Sequence, residues 1–241
     1  MTHNTPDQYM LQHINELYGN KLNASDGEIG TIGDFYFDDQ SWNIRYLVAE
    51  TGTWLSERQA LISPYSIGRL DLDNKVLSVN LTRRQIEDSP PIERHRPVSR
   101  QFEAEYFTYY GWPNYWSGDA LLGLGGDPVG YTETSSERQA REERHLRDDT
   151  HLRSTRAVAG YEIEASDGTI GRVADFLVDD RTWAIQELVV EAGHWYSGKE
   201  VLIPMGKISR ISYNESKIHV YLTKEDIERT GEHHIAHAHR H

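Results

Sequence analysis

Short runs of alternating apolar and polar residues recur along this chain. Leu77, Val79 and Leu81 interleave with Ser78 and Asn80, and Ile218, Val220 and Leu222 follow the same period of two. That period predicts strands with one buried face. Ile44, Tyr46 and Val48 alternate with Arg45 and Leu47, which predicts a strand buried over most of its surface. Ile29, Gly30, Ile32, Phe35 and Phe37 mix alternation with glycine, as a bent strand does. Asp26-Gly27 and Asp167-Gly168 are hairpin turn signals, because glycine tolerates positive φ. Asp38-Asp39-Gln40-Ser41 predicts a polar turn. Thr82 and Thr223 stand as N-caps before short helices over Arg83–Asp88 and Lys224–Arg229.

These elements occur twice. Ala24-Ser25-Asp26-Gly27 returns as Ala165-Ser166-Asp167-Gly168, and Trp42, Ile44 and Leu47-Val48 return as Trp183, Ile185 and Leu188-Val189. Glu50, Gly52, Trp54 and Ser56 recur as Glu191, Gly193, Trp195 and Ser197. About 28 of about 70 aligned positions are identical at one offset without a gap, so the chain holds two copies of one small domain. Five or six short strands in so few residues predict a strongly curved small barrel. A domain of that size has a marginal core, so two copies packed on each other or on a partner would bury more.

The repeated set Ser25-Asp26-Gly27, Ile29-Gly30, Asp34-Phe35, Asp38-Asp39, Trp42, Ile44 and Leu47-Val48 resembles the PRC-barrel family. This is a small β-barrel named for the cytoplasmic domain of the photosynthetic reaction-centre H subunit, and also the C-terminal domain of a ribosome-maturation factor. The resemblance covers roughly residues 14–89 and 157–230, and the layout is similar to bacterial stand-alone proteins with tandem PRC barrels. It implies a mainly β chain of two small PRC-type barrels in tandem, joined by an aromatic-rich, partly helical segment. It also implies a binding or scaffolding module rather than an enzyme, with no cofactor. The expected divisions are an N-terminal extension at 1–13, a first barrel at 14–89, a connecting segment at 90–156, a second barrel at 157–231 and a histidine-rich tail at 232–241.

Composition narrows the function classes. With no cysteine, disulfides, thiol catalysis, iron–sulfur clusters and cysteine zinc sites are excluded. A net charge of −13 argues against nucleic acid, whose phosphates are bound through Lys and Arg. No apolar run approaches the roughly 18 residues of a membrane span. The start, MTHNTPDQYM, lacks the basic and apolar blocks of a signal peptide, so the expected location is cytoplasmic. No zincin motif, nucleophile elbow or P-loop occurs.

Candidate contact residues are aromatic. Trp54 and Trp195 lie in predicted loops beside Gly52 and Gly193, where a tryptophan anchors a partner or packs within the chain. Ser99 is a candidate cap for a helix through Arg100–Tyr110. That helix and its sequel carry Phe102, Tyr106, Phe107, Tyr109, Tyr110, Trp112, Tyr115 and Trp116, too many rings to leave in water. They are expected to cover a barrel face, to form a homodimer interface or to line a small aromatic-ligand pocket. Tyr106, Tyr109, Trp112, Tyr115 and Trp116 are therefore candidate partner-binding residues, with Trp54 and Trp195. Asp38-Asp39 and Asp179-Asp180 could serve acid–base or metal chemistry, but carboxylates also favour turns by bonding local amides. His233 and His237 would share a helix face, as metal ligands do. The expected function is protein association by two binding modules, with protein partners or a second copy of the chain. The alternative is ligand or metal sensing by the aromatic segment or the tail.

Overall fold

The alternating runs form strands in two homologous halves. The computed structural model describes residues 10–52, 55, 58–90, 92–93, 100–112, 152–194 and 198–229. In the first half lie β1 (Leu11–His13), β2 (Lys21–Ala24), β3 (Gly27–Asp38), β4 (Ile44–Glu50), β5 (Arg58–Ile62), β6 (Ile67–Asp71), β7 (Val76–Val79) and β8 (Ile92–Glu93). In the second lie β9 (Leu152–Ser154), β10 (Glu162–Ala165), β11 (Gly168–Asp179), β12 (Ile185–Ala192), β13 (Glu200–Pro204), β14 (Ile208–Ser212) and β15 (Lys217–Val220). The sheet orders are β6-β7-β2-β3-β4-β5-β8 and β13-β12-β11-β10-β15-β14. β2 pairs parallel with β7, and β10 with β15.

Each sheet curls because strands far apart in its order are joined covalently. The 3-10 turn Pro64–Ser66 links β5 to β6, and Met205–Lys207 links β13 to β14. Among the described residues no ladder closes either gap, so these are curled sheets rather than fully hydrogen-bonded barrels. β3 and β11 are the long bent strands that the glycine-punctuated pattern predicts. Both change register twice against their partners. The bend brings backbones very close: a Cβ on Gly30 would sit 2.0 Å from the carbonyl oxygen of Glu50, and one on Gly171 2.0 Å from that of Glu191. Only glycine fits there.

The predicted caps also form. The Thr82 hydroxyl accepts from the Gln85 amide while the Gln85 side chain accepts from the Thr82 amide. Thr223 accepts from the Asp226 amide ahead of the helix at 224–229. The turn acids Asp26 and Asp167 bond the first amides of these helices, at Arg83 and Lys224, and so tie each hairpin to the end of its repeat.

The feature that the repeat did not reveal is an exchange between the halves. β1 pairs antiparallel with β11 of the second half, Leu11 opposite Asp179 and His13 opposite Leu177. β9 pairs with β3 of the first half, Asp38 opposite Leu152 and Tyr36 opposite Ser154. The helical turns Ile14–Leu17 and Thr155–Val158 follow, burying Ile14, Leu17 and Val158. Strands that lie in the expected N-terminal extension and in the expected connector therefore complete the opposite half.

One apolar cluster runs through both halves, from Leu22, Phe35, Phe37 and Leu77 to Phe176, Trp183 and Ile218. Trp42 and Trp183 sit at the seam. Both have positive φ, 57° and 58°, a conformation that bulky side chains rarely adopt. It aims their carbonyls across the seam, where Trp42 accepts from the Ile185 amide and Trp183 from the Ile44 amide, each at 2.8 Å. The rings stack in the core, Trp42 on Phe37 and Trp183 on Phe35.

Trp183 is 4% exposed, so Trp183→Ala is expected to cost about 3–5 kcal/mol in chemical denaturation. Trp42 is only partly buried, and Trp42→Ala should cost less. A loss below about 1 kcal/mol for Trp183→Ala would place that ring outside the packed core.

Candidate functional site

The repeated carboxylates belong to the backbone. Asp38 Oδ1 accepts from the amides of Gln40 and Ser41 at 2.9 and 3.1 Å, and Asp179 Oδ1 from those of Arg181 and Thr182 at 2.9 and 3.0 Å. Burial alone would raise the Asp179 carboxyl, but these bonds from Thr182 and Arg181 hold it below the usual carboxylate range. Both acids close turns. Among the described residues no group of three or more His, Asp or Glu side chains is placed to hold a metal ion, and His233 and His237 lie outside the described residues.

The repeated aspartates that matter most at the seam are Asp34 and Asp175. Each accepts from the following amide, at Phe35 or Phe176, at 2.8 Å, and then receives the arm of the other half. Asp34 accepts from the Ser154 hydroxyl, from Thr155 Oγ1 at 3.0 Å and from the Arg156 amide at 3.3 Å. Asp175 contacts His13 Nδ1 at 2.9 Å and accepts from the Asn15 amide at 3.1 Å. Identical acids thus latch non-identical arms. The local signal is an aspartate inside an apolar strand run, next to a phenylalanine, in both copies.

Two further clamps cross the seam. Arg153 donates to Asp39 at 3.0 Å and lies over the Tyr213 ring at 3.7 Å, while the Tyr213 hydroxyl donates to the same carboxylate. Arg156 donates to the Gly33 carbonyl and covers the Tyr18 ring, whose hydroxyl meets Thr155 Oγ1 at 2.8 Å. Burial pushes the Tyr18 phenol up to about 12 and raises that of Tyr213 as well.

The aromatic segment covers the outer face of the first sheet. The expected helix forms at Arg100–Tyr110. Tyr106 and Phe107 pack on Tyr46, Val48 and Leu61, which explains why β4 is buried on both faces. Glu103 is fully buried and accepts from the Tyr46 hydroxyl at 3.1 Å. Tyr106, a candidate contact residue, is 1% exposed and donates to the Leu61 carbonyl, so it fastens the helix and does not face a partner. Tyr109 is 42% exposed, and its hydroxyl donates to the Gln85 carbonyl at 3.1 Å. Trp112 is half-buried and stacks on Tyr110 at 4.3 Å. Tyr109, Tyr110 and Trp112 therefore form an aromatic rim, next to an open groove along Ala104, Glu105 and Thr108. Trp54, Trp195, Tyr115 and Trp116 lie outside the described residues.

The fold and its seam define a pseudo-dimeric pair of curled β-modules within one chain. The family model of the PRC-barrel domain matches residues 13–86 and 156–227, over half of the chain. The chain belongs to the PRC-barrel family and carries two of its domains in tandem. A comparison with curated proteins found no match. Among the described residues no helix is long and apolar enough to cross a membrane.

Two outcomes follow from the latches. Asp34→Ala removes one acceptor from three donors of the opposite arm, and is expected to cost about 2–3 kcal/mol in urea denaturation. A loss under about 0.5 kcal/mol would mean that water replaces the carboxylate freely. For Tyr18 the folded pKa lies above the unfolded value of about 10, so its contribution is fully present below pH 10. It is lost as pH rises towards 12, and stability measured over that range should fall less steeply in Tyr18→Phe than in the wild type. Equal slopes would show that the ring is not shielded.

Proposed function

We propose that the chain is a non-enzymatic association module, whose paired PRC domains form a rigid body that presents the Tyr109–Trp112 rim to a protein partner. The observation that carries this reading is the rim itself. It stands on a helix fastened by the buried Tyr106 and Glu103, and it keeps Tyr109 open to solvent. Rigid aromatic side chains of this kind lose little entropy when they anchor an interface. The turn bonds of Asp38 and Asp179 support the same reading, because they spend the most tempting carboxylates on backbone amides. The partner is another protein or a second copy of the chain.

The test is quantitative capture by the full-length chain, together with light scattering across a concentration series. Tyr109→Ala should lower the retained partner, or the dimer fraction, severalfold, while Tyr109→Phe, which keeps the ring, should bind as the wild type does. A Tyr109→Ala protein with unchanged melting temperature and unchanged capture would overturn the assignment of the rim. A monomer that retains nothing would overturn the association reading.

A further inference from the structure

The chemistry of the aromatic rim narrows what its partner must offer. Its rings form a continuous row. Tyr65, in the turn between β5 and β6, lies 6.4 Å from Trp112, Trp112 stacks on Tyr110 at 4.3 Å, and Tyr110 meets Tyr109 edge to face at 4.8 Å. The row therefore runs from the first sheet onto the covering helix. Both of its ends are open to solvent, Tyr65 at 55% and Tyr109 at 42%. The other copy lacks the outer ring, because Gly206 stands at the position equivalent to Tyr65.

The row is held in place before any partner arrives. The hydroxyls of Tyr109 and Tyr110 both donate to the Gln85 carbonyl, at 3.1 and 3.2 Å. The Trp112 amide donates to the Phe107 carbonyl at 3.0 Å, and Tyr65 meets the Phe107 ring edge to face at 6.3 Å. Rings fixed in this way lose little further freedom on binding.

Two donors and one carboxylate remain available on this surface. Among the described residues neither the Trp112 indole N–H nor the Tyr65 hydroxyl has a hydrogen-bond partner. Glu105 is exposed, has no ion-pair partner among the described residues, and lines the open groove with Thr108 and Tyr109.

These features select among the ways a protein segment docks. The row stands on a helix and a 3-10 turn, which present no strand edge, so a partner strand has nothing to pair with here. A helical segment binds its own carbonyls internally and leaves none along its face for Trp112 and Tyr65. A proline-rich segment in the polyproline II form meets both conditions: its carbonyls are unpaired and its prolines bring no N–H. Its pyrrolidine rings pack on aromatic side chains, and its conformation is set before binding. Glu105 supplies complementary charge for a basic residue beside the prolines.

Resting on the association reading above, we propose that this row binds a proline-rich peptide segment that carries an adjacent Arg or Lys. The pyrrolidines lie against Tyr65, Trp112 and Tyr109, peptide carbonyls accept from the Trp112 indole and the Tyr65 hydroxyl, and the cation pairs with Glu105.

The experiment titrates the full-length chain calorimetrically with a synthetic oligoproline peptide ending in paired arginines. Two parallel probes are a peptide with alanine for every proline and the same arginines, and an oligoproline ending in paired glutamates. The first is expected to bind saturably with Kd on the order of 100 μM, and the other two about tenfold more weakly or worse. Trp112→Phe, which keeps a ring and removes the donor, should weaken the first peptide about fivefold. Glu105→Gln should weaken it about threefold at low salt and flatten the salt dependence of Kd, which a merely structural change would not do. Both variants should melt as the wild type does. Absence of saturable binding at about 2 mM oligoproline–arginine peptide would overturn the proposal. So would equal binding of the alanine peptide, or unaltered affinity in both variants. If the peptide fails to bind while Tyr109→Ala still abolishes capture of a partner, proline recognition alone falls and the rim assignment stands.

Discussion

Each half of this molecule is completed by backbone hydrogen bonds from the other. A PRC module of about seventy residues buries only a modest fraction of its surface alone. Here β1 extends β11 and β9 extends β3, so that the apolar cluster continues through the seam without interruption. Asp34 and Asp175 latch the arriving arms, and the Trp42 and Trp183 carbonyls join the turns at the centre. The strained φ of both tryptophans is tolerated because the seam bonds and the ring stacks hold them from both sides. Separation of the halves would expose strand edges and core residues together, so the two domains behave as one structural body.

Duplication supplies the symmetry, and later change has used it unevenly. The outer face of the first sheet carries Tyr36 and Tyr46, where the second carries Leu177 and Glu187. The helix Arg100–Tyr110 lies only on the tyrosine-bearing copy among the described residues, with Tyr46 bonded to Glu103 and Tyr106 to the β5 backbone. The Asp39–Arg153–Tyr213 clamp is equally one-sided: Asp180, the counterpart of Asp39, instead accepts from the Met10 amide. The rim proposed for association lies at a place where the copies differ. Residues that the copies share mostly build the fold.

Much of the fold was legible because its causes are local. Asp26-Gly27 announces a turn through glycine's freedom, and Thr82 announces a helix start through the hydroxyl that accepts an orphan amide. Leu77 and Val79 announce a buried face through their period, and the run from Arg100 to Tyr110 announces a covering helix through its density of rings. The candidate contact residues were only partly legible. Ring count cannot tell Tyr106, which points into the sheet, from Tyr109, which stays at the surface, because helix rotation decides between them.

The amino-acid sequence by itself determined the two-domain β architecture, the positions of turns and caps, and the family, because short-range spacing and exact repetition encode these directly. The tertiary structure alone decided which half each arm completes, since the arms are three-residue strands whose partners lie more than a hundred positions away. It likewise decided that Trp42 and Trp183 meet at a seam and that Arg45 and Arg181 share a cleft. Such pairings depend on how two finished modules pack, and no local propensity records that.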